Sequence, residues 1–222
     1  MSQADGLSKS KSGSMDDYLA AANIYKQILE TEPDNYDATW KCAKALRFYA
    51  YTAQKNSVDG WKKICAQIGK EGMTYAQKAI DMKPDQPDGY YYFALNVGIY
   101  ADGVSILTAL KEGLKDKTQT SFEKVLELDK NYDNSGAVLG MGRFWSVLPW
   151  PLAKKKKALE YYREFQSTEF FGKEPESFVY ISELLIDLGG KKNKEEARQI
   201  LSTFKTDSPF FTKWSNELQA KL

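Results

Sequence analysis

The residues of this chain that could do chemistry are few, and their spacing restricts what that chemistry can be. No His occurs among the 222 residues. An imidazole is therefore unavailable as general base, proton shuttle or metal ligand, and serine–histidine and cysteine–histidine hydrolase mechanisms are excluded. Cys42 and Cys65 fit no metal-ligand spacing and each falls within an apolar helical pattern, as small core residues do. The acidic pairs Asp16-Asp17 and Glu195-Glu196 stand at expected helix starts, where the helix dipole stabilises carboxylates, so capping explains them better than acid–base catalysis. No phosphate loop, dinucleotide fingerprint or zinc pattern occurs, and nothing combines a nucleophile, a base and an orienting group. The expectation is a protein without catalytic residues, metal or cofactor.

Binding chemistry is better represented. Leu148-Pro149-Trp150-Pro151 should be a rigid loop, because proline fixes its own φ and drives the residue before it to extended conformations. Trp150 on such a loop could dock a partner, close one end of a cavity, or staple a helix pair. Arg143 has two readings, neutralising an anionic ligand or pairing with a nearby carboxylate. Lys154 to Lys157 opens a helix at the end that disfavours cations, which suggests a solvated or partner-facing patch. The total of 31 Lys+Arg against 30 Asp+Glu is too balanced to point to nucleic acid or anionic lipid as the main partner.

The elements that carry these residues read as helices throughout. At 42% hydrophobic and 27% charged the composition is that of an ordinary globular chain. Apolar residues recur at three- and four-residue steps, as in Trp61, Ile64, Cys65, Ile68, Gly72, Tyr75, Ala76, Ala79 and Ile80, and in Ala38, Cys42, Ala45, Tyr49 and Ala53. All seven prolines fall between such stripes. Helices are expected near 16–32, 36–54, 59–82, 88–102, 104–128, 134–147, 154–167, 176–189 and 194–220, the last broken at Pro209. Residues 1–15, rich in Ser, Gly and Lys, are expected to be a disordered polar tail, and 16–222 a single domain. The chain shows no apolar run long enough for a membrane span and no apolar core of a signal peptide near its start.

One junction recurs in YKQILETEPDNYDATW at 25–40, YAQKAIDMKPDQPDGYYY at 75–92 and SFEKVLELDKNYDNSGAVLG at 121–140. The steps are about 45 to 51 residues, longer than the plain period of about 34 for a tetratricopeptide repeat. Tyr25, Ile28, Leu29, Pro33 and Trp40, echoed by Ala79, Pro84 and Tyr91, resemble that superfamily. The resemblance implies an all-α fold: a TPR-like superhelical array of about four antiparallel helix hairpins, with lengthened helices and a C-terminal capping helix bearing Phe211, Trp214 and Leu218. Gly140 to Phe165, GMGRFWSVLPWPLAKKKKALEYYREF, also resembles the T-component family of tripartite ATP-independent periplasmic (TRAP) transporters. That likeness implies an accessory protein of solute uptake that docks a periplasmic solute-binding protein, assembles as a homo-oligomer and works in the periplasm; a cytoplasmic location is the alternative.

Aligned by the resemblance, the concave face of the array takes Lys41, Phe48 and Tyr49 from one hairpin, Tyr92, Asn96 and Tyr100 from the next, and Trp145 from a third. With Arg143 and Trp150 these are the expected ligand- or partner-binding residues. The lining is aromatic with few polar handles, which suits a small hydrophobic or amphipathic molecule or a lipid better than an acidic peptide tail. Packing between helices is the competing reading for each ring. A general adaptor that binds a peptide segment of a partner protein is the alternative function.

Overall fold

A computed structural model describes residues 1–8 and 13–222. These residues are helical, without a strand, and form antiparallel hairpins as expected. The chain divides into two compact units, Met1–Asp129 and Lys130–Leu222, where the sequence suggested one domain.

Short polar caps and glycines set the helix boundaries in the first unit. Ser14 and Asp17 form a reciprocal capping box that starts α2 (Met15–Thr31), satisfying two N–H groups that a helix start leaves without partners. Asn35 caps α3 (Tyr36–Lys55), Gly60 precedes α4 (Trp61–Met82) with φ 72°, and Pro87 occupies the first position of α5 (Pro87–Val104), where its missing N–H costs nothing. The helix expected over 104–128 is two: α6 (Ile106–Lys111), capped by Ser105, and α7 (Leu114–Leu128). Gly113, at φ 73°, turns the chain between them in a conformation that a side chain resists. The expected disordered tail holds a further helix, α1 (Ser2–Ser8). Its Ala4 is fully buried against Ala21, Tyr25, Cys42 and Leu46. Residues 9–12, which the same expectation covered, lie outside the described residues.

The first unit's core runs between consecutive hairpins. Cys42 shares the α1–α2–α3 cluster, whereas Cys65 packs with Ala50 and Ile99. Helices α4 and α5 approach most closely, through glycines. A Cβ on Gly69 would lie 2.8 Å from the Tyr100 backbone nitrogen, and one on Gly89 2.8 Å from that of Ile80. Any larger residue there would push the two backbones apart.

The second unit repeats the scheme with α8 (Tyr132–Val147) against α9 (Lys155–Gln166), and α10 (Pro175–Leu188) against α11 (Lys191–Thr203). Asp133, Asn134 and Ser135 at the start of α8 all have positive φ. Helix α12 (Pro209–Gln219), capped by Ser208, seats Phe211 and Leu218 against α10 and α11. The apolar spacing in SPFFTKWSNELQAKL anticipated this C-terminal cap.

Candidate functional site

In the first unit Phe48, Tyr92, Asn96 and Tyr100 of the expected groove lie on the side of each helix that packs, while Lys41 and Tyr49 are half-buried. Asn96 is completely buried and its Nδ2 donates to the carbonyls of Ala43 (3.2 Å) and Tyr92 (2.7 Å). Its Oδ1 has no hydrogen-bond partner and lies against Gly72 of α4. Tyr92 is buried, stacked on Trp40 at 5.9 Å and edge-on to Tyr91 at 5.3 Å. Tyr100 is buried too, its hydroxyl donating to Glu112 at 2.7 Å; that bond, then burial, raises its pKa. Phe48 stacks on Tyr18 at 5.5 Å, Tyr49 is half-buried, and Lys41 pairs with Asp5 of α1 at 2.9 Å. Asp5 also accepts from the Tyr25 hydroxyl at 2.9 Å. Burial opposes its ionisation, but these two hydrogen bonds and the Lys41 charge hold the carboxyl below its ordinary range.

What remains accessible on α3 is a different stripe. Tyr36 donates to Asp88 (2.9 Å), Trp40 meets Tyr92, Ala43 meets Asn96, and Gln54 donates to Asp102 (2.8 Å). Partners advance together along both chains, so α3 and α5 run parallel, side by side. Cys42 meanwhile reaches back to the Ala22 carbonyl of α2. Between these contacts Asp37 is exposed, and Trp40, Lys44, Arg47 and Tyr51 are half-buried at three- and four-residue spacing, one face of the helix. The corresponding accessible positions on α5 are Leu95, Gly98 and Asp102.

This α3 stripe is cationic and aromatic. The ammonium groups of Lys41 and Lys44 lie 5.7 and 5.9 Å from the Trp40 ring, and the Arg47 guanidinium lies 4.6 Å from that of Tyr51. Each charge sits within cation–π range. Arg47 Nε and Nη1 are shielded from solvent and have no acceptor among the described residues, so Nη2 is the donor nitrogen that faces outward. The outward Nη2 is a charged donor from which a partner's carboxylate can accept. Sequence reasoning passed over Lys44, Arg47 and Tyr51, although the signal was present. The apolar stripe Ala38, Cys42, Ala45, Tyr49 and Ala53 marks the packed face, so the opposite positions must be the open ones.

In the second unit Arg143 takes the carboxylate reading: it pairs with Glu183 and lies 4.5 Å from the Tyr180 ring and 5.0 Å from that of Trp214. Burial works against its charge, and the Glu183 carboxylate outweighs that effect, raising the pKa. Trp145 is buried edge-on to Phe144 at 4.9 Å, with Lys154 and Lys157 each 4.6 Å from its ring. Trp150 stands 91% exposed.

A family model described as regulator of microtubule dynamics protein 1-3 matches residues 1–150. The chain belongs to that family. No curated protein matches it. Membership in the regulator of microtubule dynamics family overturns the expected TRAP T-component assignment, and with it the role in solute uptake, the docking of a solute-binding protein and the ground for a periplasmic setting. The likeness misled for a physical reason. Its generic positions, such as Tyr25, Leu29 and Pro33, are those that any hairpin of this kind needs in order to pack and turn, and its distinctive portion is a loop and its flanks at the far end of the matched region. The α3 stripe lies wholly within residues 1–150.

Proposed function

We propose that this protein acts on microtubule dynamics without catalysis, by binding a carboxylate-rich protein surface through the α3 stripe of Trp40, Lys44, Arg47 and Tyr51. The family supports the microtubule connection. The observation that carries the site is Arg47: a half-buried guanidinium stacked on Tyr51, its Nε and Nη1 shielded from solvent and its Nη2 left as the outward donor, on the same face as Lys44. Aromatic platforms that hold cations in place lower the ordering cost of a charge-assisted contact, and helical hairpins commonly present such a face to extended partners.

Co-sedimentation with polymerised microtubules, and the rate of tubulin assembly followed by turbidity, test this reading. Arg47→Glu and Lys44→Glu should each weaken binding at least about tenfold, as truncating a charge-assisted contact does. Lys213→Glu, in the second unit, should leave it unchanged. Binding equal to wild type in both α3 variants, with helicity retained, would remove the site; absence of any microtubule association by the wild-type protein would remove the function.

A further inference from the structure

The second unit carries a surface feature that the α3 stripe does not use. Among the described residues the exposed large apolar side chains are Met1, Leu107, Trp150 and Leu152. Two of these four are two positions apart on the loop between α8 and α9, so this loop is where exposed apolar area concentrates. Its shape is fixed. Pro149 and Pro151 lock their own φ, Leu152 and Ala153 donate their N–H groups to the Pro149 carbonyl at 2.8 and 3.2 Å, and Lys154 donates its own to the Trp145 carbonyl at 3.2 Å. Trp150 is thus held out into solvent by an ordered turn.

Cations follow directly. Lys155 is neutralised by Asp187 at 2.6 Å, which leaves Lys154, Lys156 and Lys157 to set the charge of the patch. Lys154 and Lys157 both lie 4.6 Å from the single buried ring of Trp145, so two like charges are anchored close together. Lys154 and Lys156 are exposed. These charges gather at the start of α9, where the helix end is itself positive. Concentrating cations there costs energy that an anionic surface would return.

We infer that the loop and the first turn of α9 form a docking surface for an anionic lipid bilayer, with Trp150 and Leu152 entering the headgroup region and Lys154, Lys156 and Lys157 meeting the phosphates. The ring's exposure favours a bilayer over an acidic protein. A peptide is recognised in a groove or along a sheet edge, whereas a single protruding indole suits a fluid interface that accepts its apolar body and leaves its N–H wet. Lysines beside it add attraction for anionic lipid.

Vesicle flotation tests the inference. The full chain should float with phosphatidylcholine vesicles containing about 30% phosphatidylserine, a content that sets a negative surface potential, and not with phosphatidylcholine alone. Binding should fall steeply as salt is raised. Trp150→Ala should lose at least about tenfold in affinity together with the blue shift of tryptophan emission on binding, and Lys156→Glu at least about fivefold. Both side chains are exposed, so helicity should be retained. Equal flotation with neutral vesicles, or wild-type flotation by both variants, would overturn the proposal. So would capture of the same residues by a poly-glutamate peptide with no vesicle binding, which would assign the patch to an acidic protein instead.

Discussion

Gly72→Ala isolates the claim that Asn96 is a packing residue. A Cβ at position 72 would lie 2.8 Å from Asn96 Nδ2 and closer still to its Oδ1 and Cγ, inside the distance that real side chains tolerate. Asn96 has nowhere to go, because its Nδ2 is bonded to the carbonyls of Ala43 and Tyr92 and the residue is fully buried. Either the α4 and α5 backbones separate, at an overpacking cost of about 1–3 kcal/mol, or the amide turns and gives up bonds of about 1 kcal/mol each. Alanine returns about 1 kcal/mol of helix propensity. An overlap this deep takes the upper half of the overpacking range, so the net expectation is a loss of about 1–2 kcal/mol, a fall of roughly 0.5–1 M in the urea midpoint for a domain of this size.

Urea unfolding followed by far-ultraviolet circular dichroism reads this directly, and a double-mutant cycle locates its cause. Asn96→Ala alone should cost about 2–3 kcal/mol through lost bonds and a new void. With that space vacated, Gly72→Ala should become neutral or slightly stabilising, so the two substitutions should couple by about 2 kcal/mol. Additivity within about 0.5 kcal/mol, the behaviour of independent sites, would refute the packing assignment. A Gly72→Ala protein as stable as wild type would refute the close approach itself.

Four further outcomes are expected. Burial pushes both cysteine thiols up to about 12 from 9.0, so alkylation at pH 8 should be at least about a hundredfold slower in the folded protein than in urea. Since the folded state holds these protons above the ordinary thiol range, stability should be full below pH 9 and decline as pH rises towards 12; a flat profile over that window would contradict it. Asp5 is held below its ordinary 3.8, so its contribution to docking α1 is present above that value and lost as pH falls further, and the chemical shifts of residues 2–8 should move to coil values there, or in Asp5→Asn at neutral pH. Gly142→Ala should destabilise the second unit by about 1–3 kcal/mol, because its Cβ would overlap the Tyr162 ring; unchanged thermal unfolding would count against that packing.

Helix positions were legible in the sequence because periodicity and breakers report local physics. Pro87, Pro175 and Pro209 each occupy a first helical position, and the apolar stripes predicted the packed faces. The split at Gly113 was not legible: nothing in TALKEGLKDK distinguishes a glycine inside a helix from one at φ 73°. Helix α1 was hidden for a different reason. Six polar and small residues around a single leucine make no amphipathic stripe, and Ser2–Ser8 is fixed by tertiary contacts of Ala4, Leu7 and Asp5 that no local pattern encodes. For the binding residues, the alignment to a repeat template placed Tyr92, Asn96 and Tyr100 in a groove, while the glycines Gly69 and Gly72 that face them already implied contact with a neighbouring helix.

The same packing decides which residues of such an array remain available to a partner. Where glycines let two backbones approach, the facing helix must fill the gap with its own side chains, and Asn96 and the Tyr100 backbone do so. Conspicuous residues are then consumed by packing, and what is left accessible is the opposite stripe. On α3 that stripe is Trp40, Lys44, Arg47 and Tyr51, in which aromatic rings hold cations. Its charge is also adjustable, because Lys41 at its border is neutralised by Asp5 of α1. Asp5→Asn should therefore add one effective positive charge to the stripe and strengthen microtubule binding severalfold at low salt, an effect that vanishes as ionic strength rises. Weaker binding in that variant would mean that α1 contributes to the contact itself, and would move the site from the α3 stripe to the α1–α3 edge.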